Sequence, residues 1–132
     1  MSAENVDLVQ RGYAHYVRTG DIFEPGLHPD IEWHSRADLL DSDVYRRIDA
    51  VRAFIQGWPS GFDDFGADIE GVIDRGSYAV VSLVLRGRLT ASGQAVTMPE
   101  THVWKIRDGK VIEAREYDTT EAALEAIPDN EP

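Results

Sequence analysis

The chain has no cysteine among its 132 residues, which removes thiol nucleophiles, thiolate metal sites and disulfides from the chemistry open to it. It also lacks any apolar run of roughly 18 residues, the length that crosses a bilayer as a helix. Basic residues are scarce: 13 Lys and Arg stand against 24 Asp and Glu, a formal charge of −11. Such a surface repels phosphate backbones and anionic lipid, and no basic block offsets it. We therefore expect no nucleic-acid partner and no membrane. Met1-Ser2-Ala3-Glu4-Asn5 has no positive flank leading into an apolar run, so a cytoplasmic protein is expected. What is present is 42% apolar residues, and a chain of this length buries roughly two thirds of its unfolded surface in one core.

Val6, Val9, Tyr13, Tyr16 and Val17 recur at three-and-four spacing, which predicts a helix over 3–19 with Gly20 as a left-handed cap. Pro25-Gly26 and Pro29 break the next stretch into turns. Asp30 to Arg36 then reads as a strand, with Ile31, Trp33 and Ser35 on one face. An acidic loop follows, with Asp38, Asp41 and Asp43. Ile48, Val51, Phe54, Ile55 and Trp58 form a second helical stripe that Pro59-Ser60-Gly61 stops. Beyond Phe65 the period changes to two, and turn signals at Arg75-Gly76, Ser92-Gly93 and Asp108-Gly109 divide it into strands 66–74, 77–91, 95–107 and 110–117. These are expected to form an antiparallel meander, followed by a short helix over 119–127.

Helices first and long strands afterwards predict an α+β domain. We expect a cone-shaped, strongly curved antiparallel sheet wrapped around the N-terminal helices, a cystatin-like roll. The outer face of the sheet, carrying Val81, Leu83 and Leu85 or their alternates, needs a cover, and a homodimer through the sheet is the simplest one. The turn at Asp108-Gly109 decides the site. A two-residue loop sets His102 opposite Arg115. A three-residue loop, with Gly109 in a left-handed bulge position, sets it opposite Ala114 and gathers Glu100, His102 and Trp104 with Ile112, Ala114, Glu116 and Asp118. Asp-Gly suits a type I turn followed by a bulge, which favours the second. That face grades from apolar at Ile106, Trp104, Ile112 and Ala114 to ionisable at Glu100, His102, Glu116 and Asp118, as a small-molecule pocket does.

Four pieces of the chain together resemble the nuclear transport factor 2-like superfamily, and within it the SnoaL-like polyketide-cyclase group. They are the end of helix one at Gly20-Asp21-Ile22, the segment Pro29-Asp30-Ile31-Glu32-Trp33-His34, the segment Tyr45-Arg46-Arg47-Ile48-Asp49-Ala50-Val51, and the most specific, His102-Val103-Trp104-Lys105-Ile106-Arg107-Asp108-Gly109-Lys110-Val111-Ile112. The likeness runs over nearly the whole chain and implies a single domain over 1–127 with a polar tail over 128–132. The fold serves cyclases, isomerases, hydrolases, dehydratases and non-catalytic binders alike, so the resemblance supports the fold better than a reaction. In cyclases of this kind a histidine stands at the position of His102 and an aspartate at that of Glu116. Steroid-isomerising members place a tyrosine at Tyr13 and an oxyanion-stabilising acid at His102. Their catalytic base falls on Ser35, and serine cannot take a proton from carbon. The family's glycine before the second helix is Arg47 here.

A carboxylate and an imidazole facing one apolar space can divide acid and base work. Proton abstraction next to a carbonyl needs a base and a donor for the enolate oxygen, which assigns catalytic roles to Glu116, His102 and Tyr13. Trp33, Ser35, Trp58, Glu100, Trp104, Ala114 and Asp118 are the candidate substrate-binding residues. Plainer readings stand beside these. His102 satisfies Glu100 or Glu116 within the sheet, Tyr13 packs in the core, and Asp118 opens a capping box with Glu121. Neither a metal nor a cofactor is expected, because His34 and Glu32 lack further ligands at metal-binding spacing and no phosphate or dinucleotide loop is present. Two functions of different class follow: a cofactor-independent acid–base enzyme on a small hydrophobic carbonyl compound, and a non-catalytic ligand-binding or dimerisation module of the same fold.

Overall fold

The apolar stripe at Val9, Tyr13 and Tyr16 forms the buried side of α1 (Ser2–Thr19) in the computed structural model, which describes residues 2–36, 38–40 and 42–128. Val17, expected on that stripe, instead turns outward and is 60% exposed. Gly20 ends the helix at φ 75°, its N–H bonding Tyr16 O at 2.7 Å, a left-handed cap that glycine adopts without steric penalty. A short turn (Glu24–Gly26) leads into β1 (Leu27–His34), which starts and ends earlier than the alternation predicted. Ser35 therefore lies in the loop. Its hydroxyl and backbone N–H both bond the Asp43 carbonyl, at 3.1 Å each, and the Asp43 N–H returns to Ser35 Oγ at 2.8 Å. Of the acidic loop residues, Asp41 lies outside the described residues, as do 129–132 of the expected tail.

A three-residue strand that hydrophobic patterning did not signal, β2 (Val44–Arg46), pairs antiparallel with β1. It feeds α2 (Arg47–Gln56), which buries Val51 and Ile55. The four long strands follow as expected: β3 (Phe62–Arg75), β4 (Tyr78–Leu89), β5 (Ala95–Arg107) and β6 (Lys110–Tyr117). The sheet order is β2-β1-β6-β5-β4-β3, an open curved sheet with α1 and α2 on its inner side. It is mixed, not wholly antiparallel, because β1 runs parallel to β6. Tight hairpins force the meander strands to alternate, whereas β1 and β6 are joined through the rest of the chain and no hairpin sets their direction.

Ala79, Val81, Leu83 and Leu85 of β4 face inward against α1 and α2, so of the two sets expected on the outer face it is the alternates that lie there. The alternates Tyr78 and Val80 face outward. There α3 (Thr120–Ala126) packs over them and over Val103 through Ala123 and Leu124, so the monomer covers part of its own outer face. Asp118 does not cap this helix. Thr119 does, accepting from Ala122 N at 3.1 Å.

The last hairpin departs from both expected registers. Asp108 and Gly109 sit at φ 53° and 75°, a two-residue turn with both central residues left-handed, and Arg107 pairs with Lys110. The extra residue enters one step later, between Lys105 and Ile106, where Ile112 bulges out of the ladder. Beyond it His102 lies opposite Glu116 and Trp104 opposite Ala114. The bulge restores the expected parity of faces by another route. It also places Val111, not Ile112, in the core.

Candidate active site

Trp104 and His102 on β5 and Tyr13 on α1 meet where the helix crosses the sheet. The Trp104 indole N–H, which can only donate, bonds the Tyr13 hydroxyl oxygen at 2.9 Å. Tyr13 OH is 2.6 Å from His102 Nδ1, and His102 Nε2 is 3.0 Å from Glu100 Oε1. Burial pushes the Tyr13 hydroxyl well above its ordinary range, so it remains a phenol with one proton to give. Its oxygen already accepts from Trp104, and Nδ1 is the acceptor in reach. That assigns the His102 proton to Nε2 and directs it at Glu100. The result is one chain of donors, Trp104 to Tyr13 to His102 to Glu100, with His102 fully buried and both ring nitrogens occupied.

Glu116, cross-strand from His102, has a different partner. Trp33 on β1 is 1% exposed and donates its indole N–H to Glu116 Oε2 at 2.5 Å. Burial is the main cause that raises the Glu116 carboxyl above the ordinary range, and Glu100 adds to it. The field of His102 and the hydrogen bonds from Trp33 and the Arg36 backbone pull the other way and do not cancel the rise. Of the two carboxyls open to His102 it takes Glu100, and the site divides into two separate arms, His102 to Glu100 and Trp33 to Glu116.

Three spaces adjoin these arms. Against α1 lies an apolar cavity of about 60 Å³ bordered by Tyr13, Trp33, Trp58 and Trp104. Beneath the loop after β1 lies one of about 190 Å³ bordered by Ser35, Trp58, Glu100 and Glu116. A larger open recess of about 520 Å³ on the other side of that loop is bordered by Ser35, Glu116 and Asp118. Glu116 and Ser35 therefore stand between two spaces. His102 and Ala114 border none of the three, Ala114 being fully buried in the core. The three tryptophans fill much of the cone, with Trp33 ring centroids 5.6 Å from Trp58 and 5.1 Å from Trp104.

Residues that sequence reasoning did not assign to the site complete the second cavity: Leu39, Tyr45, Phe54, Phe65, Leu85 and Met98. Phe54 stood on the α2 stripe as a core residue. Tyr45 carried only the resemblance, and their stacking, at 4.1 Å between centroids, depends on β2, which had no pattern to reveal it. Arg36 reaches Glu100 Oε2 at 4.0 Å and was likewise missed.

The profile of the SnoaL-like domain matches residues 9–114. The chain belongs to the SnoaL-like family. Solved structures with the same fold include a SnoaL-like, polyketide-cyclase-type protein from Jannaschia sp. CCS1, 23% identical with TM-score 0.75, the match covering 99% of this chain and 95% of that one. TerC, co-crystallised with polyporic acid, is 21% identical with TM-score 0.73 over 92% of this chain and 96% of its own. A protein of ketosteroid isomerase-like fold from Catenulispora acidiphila DSM 44928, in complex with trimethylamine, is 10% identical with TM-score 0.72, covering 95% and 96%. No curated protein matches the sequence significantly.

Across its β1 and β6 strands the SnoaL-like protein brings a third group to His34 and Glu32, which the sequence had shown only as a pair. Parallel pairing of β1 with β6 sets Glu113 beside Glu32, and one ligand atom from each of the three lies within 4.8 Å of the others. His34 Nε2 is 3.1 Å from Glu32 and 3.9 Å from Glu113. Both carboxylates are already matched by arginines, Arg46 at 3.4 Å and Arg115 at 2.8 Å. The group is a balanced ion-pair network in which a divalent cation would meet two fixed positive charges.

Proposed function

We propose that this SnoaL-like protein is a cofactor-independent acid–base enzyme that moves a proton on a small hydrophobic compound, as in cyclase or isomerase chemistry next to a carbonyl. Glu116 is the proton-transfer group. The observation that carries this reading is a carboxyl whose affinity for protons burial has raised, held by Trp33, and standing in the wall of a cavity of about 190 Å³. Glu100 is the second carboxyl of that wall. His102 and Tyr13 act through it as positioning residues, since their polar atoms are spent on each other and on Glu100. The small organic molecules found with TerC and with the Catenulispora protein support a ligand of modest size. A homodimer paired through the outer face, where α3 leaves Val84 half-buried, belongs to the same proposal.

The alternative of different class is a non-catalytic ligand-binding module, and the complete satisfaction of His102 favours it. Glu116→Gln separates the two. In an enzyme the variant keeps its fold and its ligand affinity while turnover falls by about two to four orders of magnitude. Ligand binding by the parent without turnover of any carbonyl compound, and unchanged binding by the variant, would establish the module instead.

A further inference from the structure

The wall of the second cavity is chemically one-sided. Two carboxyls, Glu100 and Glu116, face it, and no Lys, Arg or His among the described residues lines it. Arg36 lies outside the lining: its Nε and Nη2 bind Asp38 at 3.0 and 2.6 Å, and only a long ion pair, Nη1 to Oε2 at 4.0 Å, links it to Glu100. His102 offers Glu100 a single N–H at Oε1. The Ser35 hydroxyl is taken up by the Asp43 backbone. Most of the remaining wall is aromatic, with Trp58, Phe65 and the stacked pair Tyr45 and Phe54. Aromatic faces present negative charge, so the rings and the carboxyls act in the same direction, in a molecule whose formal charge is already −11.

An anionic ligand is repelled by every charged group lining this space. We propose that the cavity takes a compact organic cation, an alkylammonium head with a short apolar body, seated between the Glu100 carboxylate and the faces of Trp58 and Phe65. The proposal rests on the reading of this cavity as the ligand site and names the class of compound that enters it. The Glu100 carboxylate supplies charge, the rings supply cation–π contact without demanding hydrogen-bond donors, and the confined space raises the strength of both.

Two probes test it by calorimetric titration of the full chain: choline, and dimethylbutanol, in which carbon replaces the ammonium nitrogen and only the charge is lost. Choline is expected to bind at least tenfold more tightly than the alcohol. Glu100→Gln, which keeps shape and still accepts from His102, is expected to remove most of that preference, and Phe65→Leu, which keeps bulk and loses the ring, to weaken choline several-fold. Circular dichroism of both variants confirms their fold. Equal binding of the two probes, binding of neither at millimolar concentration, or choline binding that both folded variants retain, overturns the proposal, the last by placing choline elsewhere on the acidic surface. Equal binding alongside Glu116-dependent turnover of a neutral carbonyl compound overturns the cation and leaves the acid–base reading standing.

Discussion

Glu116 and Tyr16 are two buried polar groups with opposite bookkeeping. The Glu116 carboxyl binds its proton more tightly folded than unfolded, because burial penalises the charged form. The native state then holds more protons than the unfolded chain across that interval, so stability falls as pH rises from the ordinary carboxylate value through the raised one. Glu116→Gln is expected to flatten this fall, becoming more stable relative to the parent as pH climbs through the interval and constant above it; urea unfolding at a series of pH values reads it directly. An opposite slope would mean that the carboxylate, not the acid, is the form the site favours. Tyr16 has a hydroxyl with no hydrogen-bond partner among the described residues, and burial pushes its pKa up to about 12. Removing an unpaired buried hydroxyl sacrifices no bond, so Tyr16→Phe is expected to leave stability unchanged or raise it by about 1 kcal/mol. Tyr13→Phe is its control. It strips Trp104 and His102 of a shared partner and is expected to destabilise by about 1–3 kcal/mol.

Among the elements, the start of α2 carries an identifiable strain. Arg47 sits at φ 74°, a conformation that costs a side-chain-bearing residue about 1–2 kcal/mol. It is the position where the resemblance places glycine. Arg47→Gly is therefore expected to raise stability by about 1 kcal/mol, somewhat less than the full relief because glycine is freer when unfolded, with a matching rise in thermal midpoint. Arg47→Ala, which keeps a Cβ, is expected to give no such gain. The hairpin at Asp108-Gly109 shows how an element is both readable and misleading. Its turn residues were evident from the dipeptide, and an extra residue belonged to the favoured of the two readings. Whether that residue sat in the turn or at Ile112 was not, because a loop bulge and a ladder bulge preserve the same alternation of faces. The site parity survived, and Ile112 and Val111 exchanged roles.

At the scale of the whole molecule, the open sheet leaves an outer face that α3 only partly covers. A homodimer through that face is expected to show about twice the 14.7 kDa chain mass by light scattering at micromolar concentration, and a mass near that of one chain removes it from the proposal. Curvature also divides the interior. Trp33, Trp58 and Trp104 crowd the centre of the cone, so the free volume lies as one small apolar cavity toward α1 and a larger one toward the loop after β1. That partition removes His102 from contact with any ligand in the larger cavity and leaves Glu100 and Glu116 in its wall.

The α+β class, the two amphipathic helices, the four-strand meander, the Gly20 cap and the acidic surface were all determined by the amino-acid sequence by itself. Each is written in local periodicity, turn chemistry or composition, which act over a few residues or over the sum of them. Only the tertiary structure decided that β1 runs parallel to β6, that β2 exists, that Tyr45 and Phe54 join the cavity, and that Tyr13 and Glu100 rather than Glu116 take the two nitrogens of His102. These depend on pairs up to 89 positions apart in the chain, and no local pattern records which of two equally buried partners a side chain will reach. Burial and register across the curved sheet settle that choice.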